Sequence, residues 1–164
     1  MEMKEFYYHD GIRISLFNLD HEAVSFHSHT TVTDIMCCVK GIIHIELPDT
    51  KKVYRVIEDQ IFQVPSKAKH RFTNGNVNGK ESRYVLLQVG NFDIDFLENT
   101  HDLEISLQGV KLKNVIQTEI NIDRRNDDII NIAKMFSREK PVELTFEERD
   151  DVVKALEIFA SKGN

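Results

Sequence analysis

The sequence has little cysteine, no long apolar run and no excess of positive charge, and each shortage excludes something. Its two cysteines, Cys37 and Cys38, are adjacent. Neighbouring strand residues point to opposite faces, so a disulfide between them would be strained. Two cysteines make no zinc knuckle, and a cysteine nucleophile needs an activating base. Both are therefore read as core residues. No apolar stretch approaches the roughly 18 residues of a membrane span. The opening segment MEMKEFYYHDG is charged and lacks the apolar stretch of a secretory leader. The expectation is a cytoplasmic protein with no membrane partner. Acidic residues outnumber basic ones, 27 against 21, giving a net charge of −6. Nucleic-acid binding rests on neutralising phosphates with a basic patch. The short basic cluster KKVYR reads better as a solvated hairpin, so no nucleic-acid partner is expected. Internal repeats and low-complexity segments are absent too.

What remains is 164 residues, 41% of them hydrophobic, enough for one ordinary domain with a real core. Up to about Val89 the chain reads as short strands rich in β-branched and aromatic residues. These are IRISLF, VTDIMCCV, IIHIEL, KVYRVI, QIFQVP and RYVLLQV, with turn chemistry in VKG, LPDTKK and NGNVNG. Many short strands at regular spacing predict a mainly β sandwich or barrel. The segment NFDIDFLENTHDLEISLQGVKLKN is expected to hold one or two more strands, and VIQTEI another. His101 is given no role. The tail changes period. Ile129, Ile132, Ala133 and Phe136 recur at helical spacing, as do Val152, Leu156 and Phe159. Pro141 separates the two runs, and Thr145 with Glu148 matches a capping box. The expected division is a β-barrel domain over 1–120 and a two-helix extension over 121–164. The apolar helix stripes would pack on the barrel or on a partner copy in a homodimer.

The chemistry concentrates in HSHTTVTDIMCCVKG, residues 27–41. Alternate strand residues share a face, so His27 and His29 project side by side. If Lys40–Gly41 is a tight hairpin turn, Met36 opposes Ile45, Cys38 opposes Ile43 and Asp34 opposes Leu47. His44 then falls on the other face, opposite Cys37. A carboxylate on an apolar inward face is costly unless it is paired or holds a metal. DQIFQVPSKAKHRFTN supplies a further histidine, His70.

These residues resemble the cupin superfamily. Its first motif runs glycine, five residues, His-x-His, three or four residues, a carboxylate, six residues and a second glycine. His27, His29, Asp34 and Gly41 keep those spacings. The second motif runs glycine, five residues, proline, one residue, glycine, two residues, histidine, three residues and asparagine. Pro65, His70 and Asn74 keep those spacings. The resemblance covers roughly residues 21–89. Three motif glycines are replaced, by His21, Asp59 and Lys67, so a different local backbone is expected there. The usual glutamate is Asp34, one methylene shorter.

The resemblance implies a double-stranded β-helix, or jelly-roll barrel, with a C-terminal helical hairpin. It implies that His27, His29, Asp34 and His70 hold one divalent transition metal ion. Iron, manganese, nickel, cobalt and zinc all suit such a donor set. Met36, Cys38, Ile43, Ile45 and Phe72 would line the pocket, and Tyr84 and Gln88 are polar candidates for acid–base work. The expected function is to bind or transform a small organic molecule at this centre, as a metal-dependent oxygenase, isomerase or lyase. The alternative is a non-catalytic ligand sensor with dimerising helices.

Overall fold

Asp10 and Gly11 both have positive φ, 52° and 71°, in the computed structural model, which describes Met1 to Asn164. This two-residue turn folds β1 (Glu2–His9) back on β2 (Ile12–Leu19). β1 was not among the expected strands, although Asp-Gly between FYYH and IRISLF is the local signal for it. β3 (His27–Ser28), β4 (Val32–Lys40) and β5 (Ile42–Leu47) follow. A short 3-10 turn, Pro48–Thr50, leads to β6 (Lys52–Ile57), β7 (Ile61–Gln63), β8 (Arg71–Asn74) and β9 (Ser82–Gly90). After β10 (Asp95–Phe96) come α1 (Thr100–Ser106), β11 (Leu112–Asn114), α2 (Asn126–Arg138) and α3 (Phe146–Lys162).

The strands form two main sheets, ordered β1-β2-β9-β4-β7 and β11-β6-β5-β8, and a small β10-β3 pair. The expected β4–β5 hairpin does not form. β4 pairs with β7 and β9, whereas β5 pairs with β6 and β8. A register shift between Cys38 and Lys40 interrupts the end of β4, and Gly41 has a φ of +73°. A bulge bends and twists a strand, and here the chain leaves one sheet for the other. Met36 and Cys38 thus meet Ile43 and Ile45 across the interior, not along a ladder.

Both faces of the first sheet are covered. Inward, Phe17, Met36 and Leu86 meet Ile43, Val56 and Phe72 of the second sheet. Outward, Ile12, Ile35 and Val85 share a core with Ile129, Phe136, Leu156 and Phe159 of the two tail helices. β2 and β9 are consequently buried almost throughout, as strands covered on both sides must be. The capping box is present: Thr145 Oγ1 accepts from the Glu148 amide, and Glu148 accepts from the Thr145 amide. The segment NFDIDFLENTHDLEISLQGVKLKN holds two short strands, β10 and β11, as expected, with the unexpected helix α1 between them. One other expectation fails. VIQTEI makes only one bridge, Ile120 to Gly163. No helix is long and apolar enough to cross a membrane.

Candidate metal centre

His27, His29, Asp34 and His70 come together, all buried, with one ligand atom from each lying within 4.8 Å of the others. β3 carries His27, and His29 follows directly after it. His70 stands just before β8, and its backbone bridges that of His27. Asp34 points inward from β4 and reaches the group despite its short side chain: its Oδ2 is 2.9 Å from His70 Nε2.

The second ring nitrogens fix the tautomers of the three imidazoles. His27 Nδ1 lies 2.7 Å from the Ser25 carbonyl, His29 Nδ1 2.6 Å from that of Asp93, and His70 Nδ1 2.8 Å from that of Ala68. A carbonyl only accepts, so each Nδ1 must carry its proton. A neutral ring then presents a bare lone pair at Nε2. Three such lone pairs and a carboxylate converge with no donor among them. His29 Nε2 is buried without a hydrogen-bond partner, 3.4 Å from Asp34 Oδ2. A set of acceptors at such range calls for a cation. Histidine ligands typically donate their far N–H to a carbonyl or carboxylate in this way. Bonds of about 2.1 Å to a single ion put donors at most about 4.2 Å apart. The group needs to close by only about half an ångström, so these residues fit a metal ion.

The electrostatics favour the ligating forms of His27 and Asp34. Burial, and next the His70 ring, lower the His27 pKa to about 4, so it is neutral at pH 7. Burial would raise the Asp34 pKa, but the His29 and His70 contacts outweigh it and hold the carboxyl well below its usual range. Burial also opposes charge on His29, yet the Asp34 carboxylate prevails and raises its pKa, so a cation binding there competes with a proton on that ring.

Two of the three replaced glycines keep the conformation a glycine would give. Asp59 and Lys67 have φ of 70° and 62°, so the left-handed backbone persists without the residue that tolerates it best. The motif geometry survives because the turns before β7 and His70 still form, contrary to the expected change of backbone shape.

Neighbouring strands supply residues that spacing did not reveal. Arg13, Gln88 and Asp34 stand directly opposite one another across β2, β9 and β4. Gln88 Nε2 donates to Asp34 Oδ1 at 3.0 Å, and Arg13 donates to Gln88 Oε1 at 2.7 Å. The amide of Gln88 is thereby locked with its donor toward the carboxylate. Arg13 also makes two bonds to Glu5 and lies over the Phe92 ring. Strand parity places Tyr84, Leu86 and Gln88 inward together, a signal available from RYVLLQV. The alternation in NFDIDF likewise puts Phe92, Ile94 and Phe96 on one face.

A cavity of about 270 Å³ opens beside the group and reaches His27, His29 and Asp34. Phe72 lines it. Met36, Cys38, Ile43 and Ile45 do not: all four are fully buried in the interior core. The wall is made instead by Phe17, Tyr84, Phe92 and Phe96 with Leu86 and Ile94. A separate narrow cleft of about 50 Å³ touches His29, Asp34 and His70 beside Lys67. The loop holding Phe92 is latched by Asp93, whose carboxylate accepts from the Thr30 and Thr31 amides. Gly90 permits that approach: a Cβ there would lie 2.6 Å from the Thr31 carbonyl oxygen.

No family model and no curated protein sequence matches the chain. Solved structures do resemble it. A cupin 2 domain-containing protein from Halorhodospira halophila aligns over 63% of this chain and 73% of its own, with 11% identity and a TM-score of 0.53. A double-stranded β-helix protein from Klebsiella pneumoniae covers 60% and 84%, with 12% identity and a TM-score of 0.52. The polyketide cyclase RemF from Streptomyces resistomycificus covers 64% and 76%, with 17% identity and a TM-score of 0.50. The sheet topology and these likenesses agree: the chain has the double-stranded β-helix fold of the cupin superfamily, followed by a helical hairpin.

Proposed function

We propose that the protein binds one divalent transition metal ion through His27, His29, Asp34 and His70, and acts on a small organic molecule in the adjoining cavity. The observation that carries this is the set of three carbonyl-bonded Nδ1 atoms, which leaves every Nε2 lone pair aimed at one point beside a carboxylate. A bound ion would supply Lewis acidity and exchangeable positions for oxygen donors. The chain's own residues orient and enclose. Gln88 donates to Asp34 and aligns it, Arg13 holds Gln88, and the phenylalanines exclude water from the reacting side.

One observation favours the second reading, a non-catalytic ligand-binding module. Beyond the ligand set, the cavity wall holds no carboxylate, amine or further imidazole. Arg13 is tied to Glu5, and Gln88 is tied to Asp34. A reaction that needs a separate general base finds none here, so the chemistry is confined to the metal centre or is absent.

Metal content of anaerobically purified protein, read by elemental mass spectrometry, tests the centre. About one transition metal ion per chain is expected, and His70→Ala should lose it. No metal in the wild type, even after reconstitution, would sink the proposal. Iron would direct the search for activity to oxygen consumption.

A further inference from the structure

Tyr84 is the cavity's unanswered donor. The residue is 2% exposed and lines the cavity, and no hydrogen bond within the protein engages its hydroxyl. Two rings pack against the tyrosine. Phe17 stacks on it at 4.7 Å with planes 6° apart, and Phe72 meets it edge-on at 5.2 Å. A hydroxyl on a cavity-lining residue that no protein group engages is free to donate to an acceptor on a ligand.

Size and lining narrow the class. An apolar cavity of roughly 150 Å³ takes up benzene, so about 270 Å³ has room for roughly eleven non-hydrogen atoms. Five rings face the space: Phe17, Phe72, Tyr84, Phe92 and Phe96. Aromatic rings favour offset and edge contacts with another ring. The one cationic side chain in the wall, Arg13, already faces the Glu5 carboxylate at 2.9 Å, so no unpaired cationic side chain there calls for an anion.

We propose that this cavity binds a compact one- or two-ring aromatic compound bearing a hydroxyl or carbonyl oxygen, to which Tyr84 donates its hydroxyl proton. This rests on the cavity being the ligand chamber of the centre described above, but not on the metal itself.

The probes are 2-naphthol and naphthalene, titrated calorimetrically into the full chain, both metal-loaded and EDTA-treated. Naphthol should bind wild type about tenfold more tightly than naphthalene, the worth of one added hydrogen bond. Tyr84→Phe should remove that advantage and leave naphthalene unchanged. Val24→Phe, which fills the cavity from its wall, should weaken both probes. The proposal is overturned if naphthol does not bind, if naphthol and naphthalene bind wild type equally, or if Val24→Phe leaves naphthol binding intact. It is equally overturned if Tyr84→Phe, folded by near-ultraviolet circular dichroism, weakens neither probe or both alike. Should that variant not fold, the wild-type ratio and Val24→Phe still decide. Failure of the metal centre shows separately, as absent metal, and the EDTA-treated titrations stand without it.

Discussion

His27 carries the clearest cost among the buried residues. Burial and the His70 ring hold its pKa near about 4 in the fold, against 6.5 unperturbed. Between those values the unfolded chain binds a proton that the folded chain refuses. The stability contributed by the neutral ring is therefore whole above pH 6.5 and is lost as the pH falls through about 4. His29 has the opposite sign. Its folded pKa is raised, so its contribution is whole below pH 6.5 and lost as the pH rises through the folded value. Asp34, held low, adds a further loss below about pH 3.8. Urea denaturation of metal-stripped protein should show stability falling between pH 6.5 and 4 by on the order of 3 kcal/mol. His27→Asn should flatten most of that slope; an unchanged slope would mean that another group is being charged. The cysteines need no such accounting. Burial raises the Cys38 thiol to about 12 and Cys37 higher still, so both are inert packing groups.

At the scale of the element, α3 is fastened at its first turn. Glu148 is 3% exposed and serves three ends at once. It completes the capping box with Thr145, takes Lys4 Nζ at 2.7 Å and accepts from Asn18 at 3.1 Å. Burial opposes its charge, yet Lys4 and the Thr145 amide lower its pKa to about 2. The helix start is thus tied to β1 and β2. Glu148→Ala should cost about 2–3 kcal/mol, combining a lost cap with lost charge-assisted bonds. Glu157→Ala, exposed on the same helix, should stay within about 0.5 kcal/mol. Equal midpoints for the two variants in urea would show that the cap and its partners hold nothing.

Across the whole molecule, the tail is part of the core. The apolar stripes of α2 and α3 are covered within the chain, by Ile12, Ile14, Ile35, Val85 and Leu87 of the first sheet. A chain ending at Gln117 would bare that sheet face, a contiguous apolar patch of the kind that drives association. We expect it to aggregate or to bind 8-anilinonaphthalene-1-sulfonate strongly in dye titration. A soluble, monomeric truncated chain with unchanged metal content would contradict this. The same arrangement isolates the cavity from the tail, since the helices pack on the outer face and the ligands point inward.

Much of the site was legible locally. His27-x-His29 share a face by strand parity, Asp34 is a carboxylate among inward apolar residues, and His70 follows at the resembling spacing. The helical stripes and the Thr145–Glu148 cap were legible for the same reason: such features depend on covalent geometry within a few residues. Which strands become neighbours depends on burying both faces of every strand at once, and no short window contains that. Tertiary structure alone therefore sent β4 and β5 to different sheets and moved Met36, Cys38, Ile43 and Ile45 from the cavity wall into the core. It also aligned Arg13, Gln88 and Asp34 in one row, and brought the Asp93 carbonyl to His29, 64 residues away in sequence. The sequence by itself determined the donors; the packing of two sheets decided which lone pairs face inward and what surrounds them.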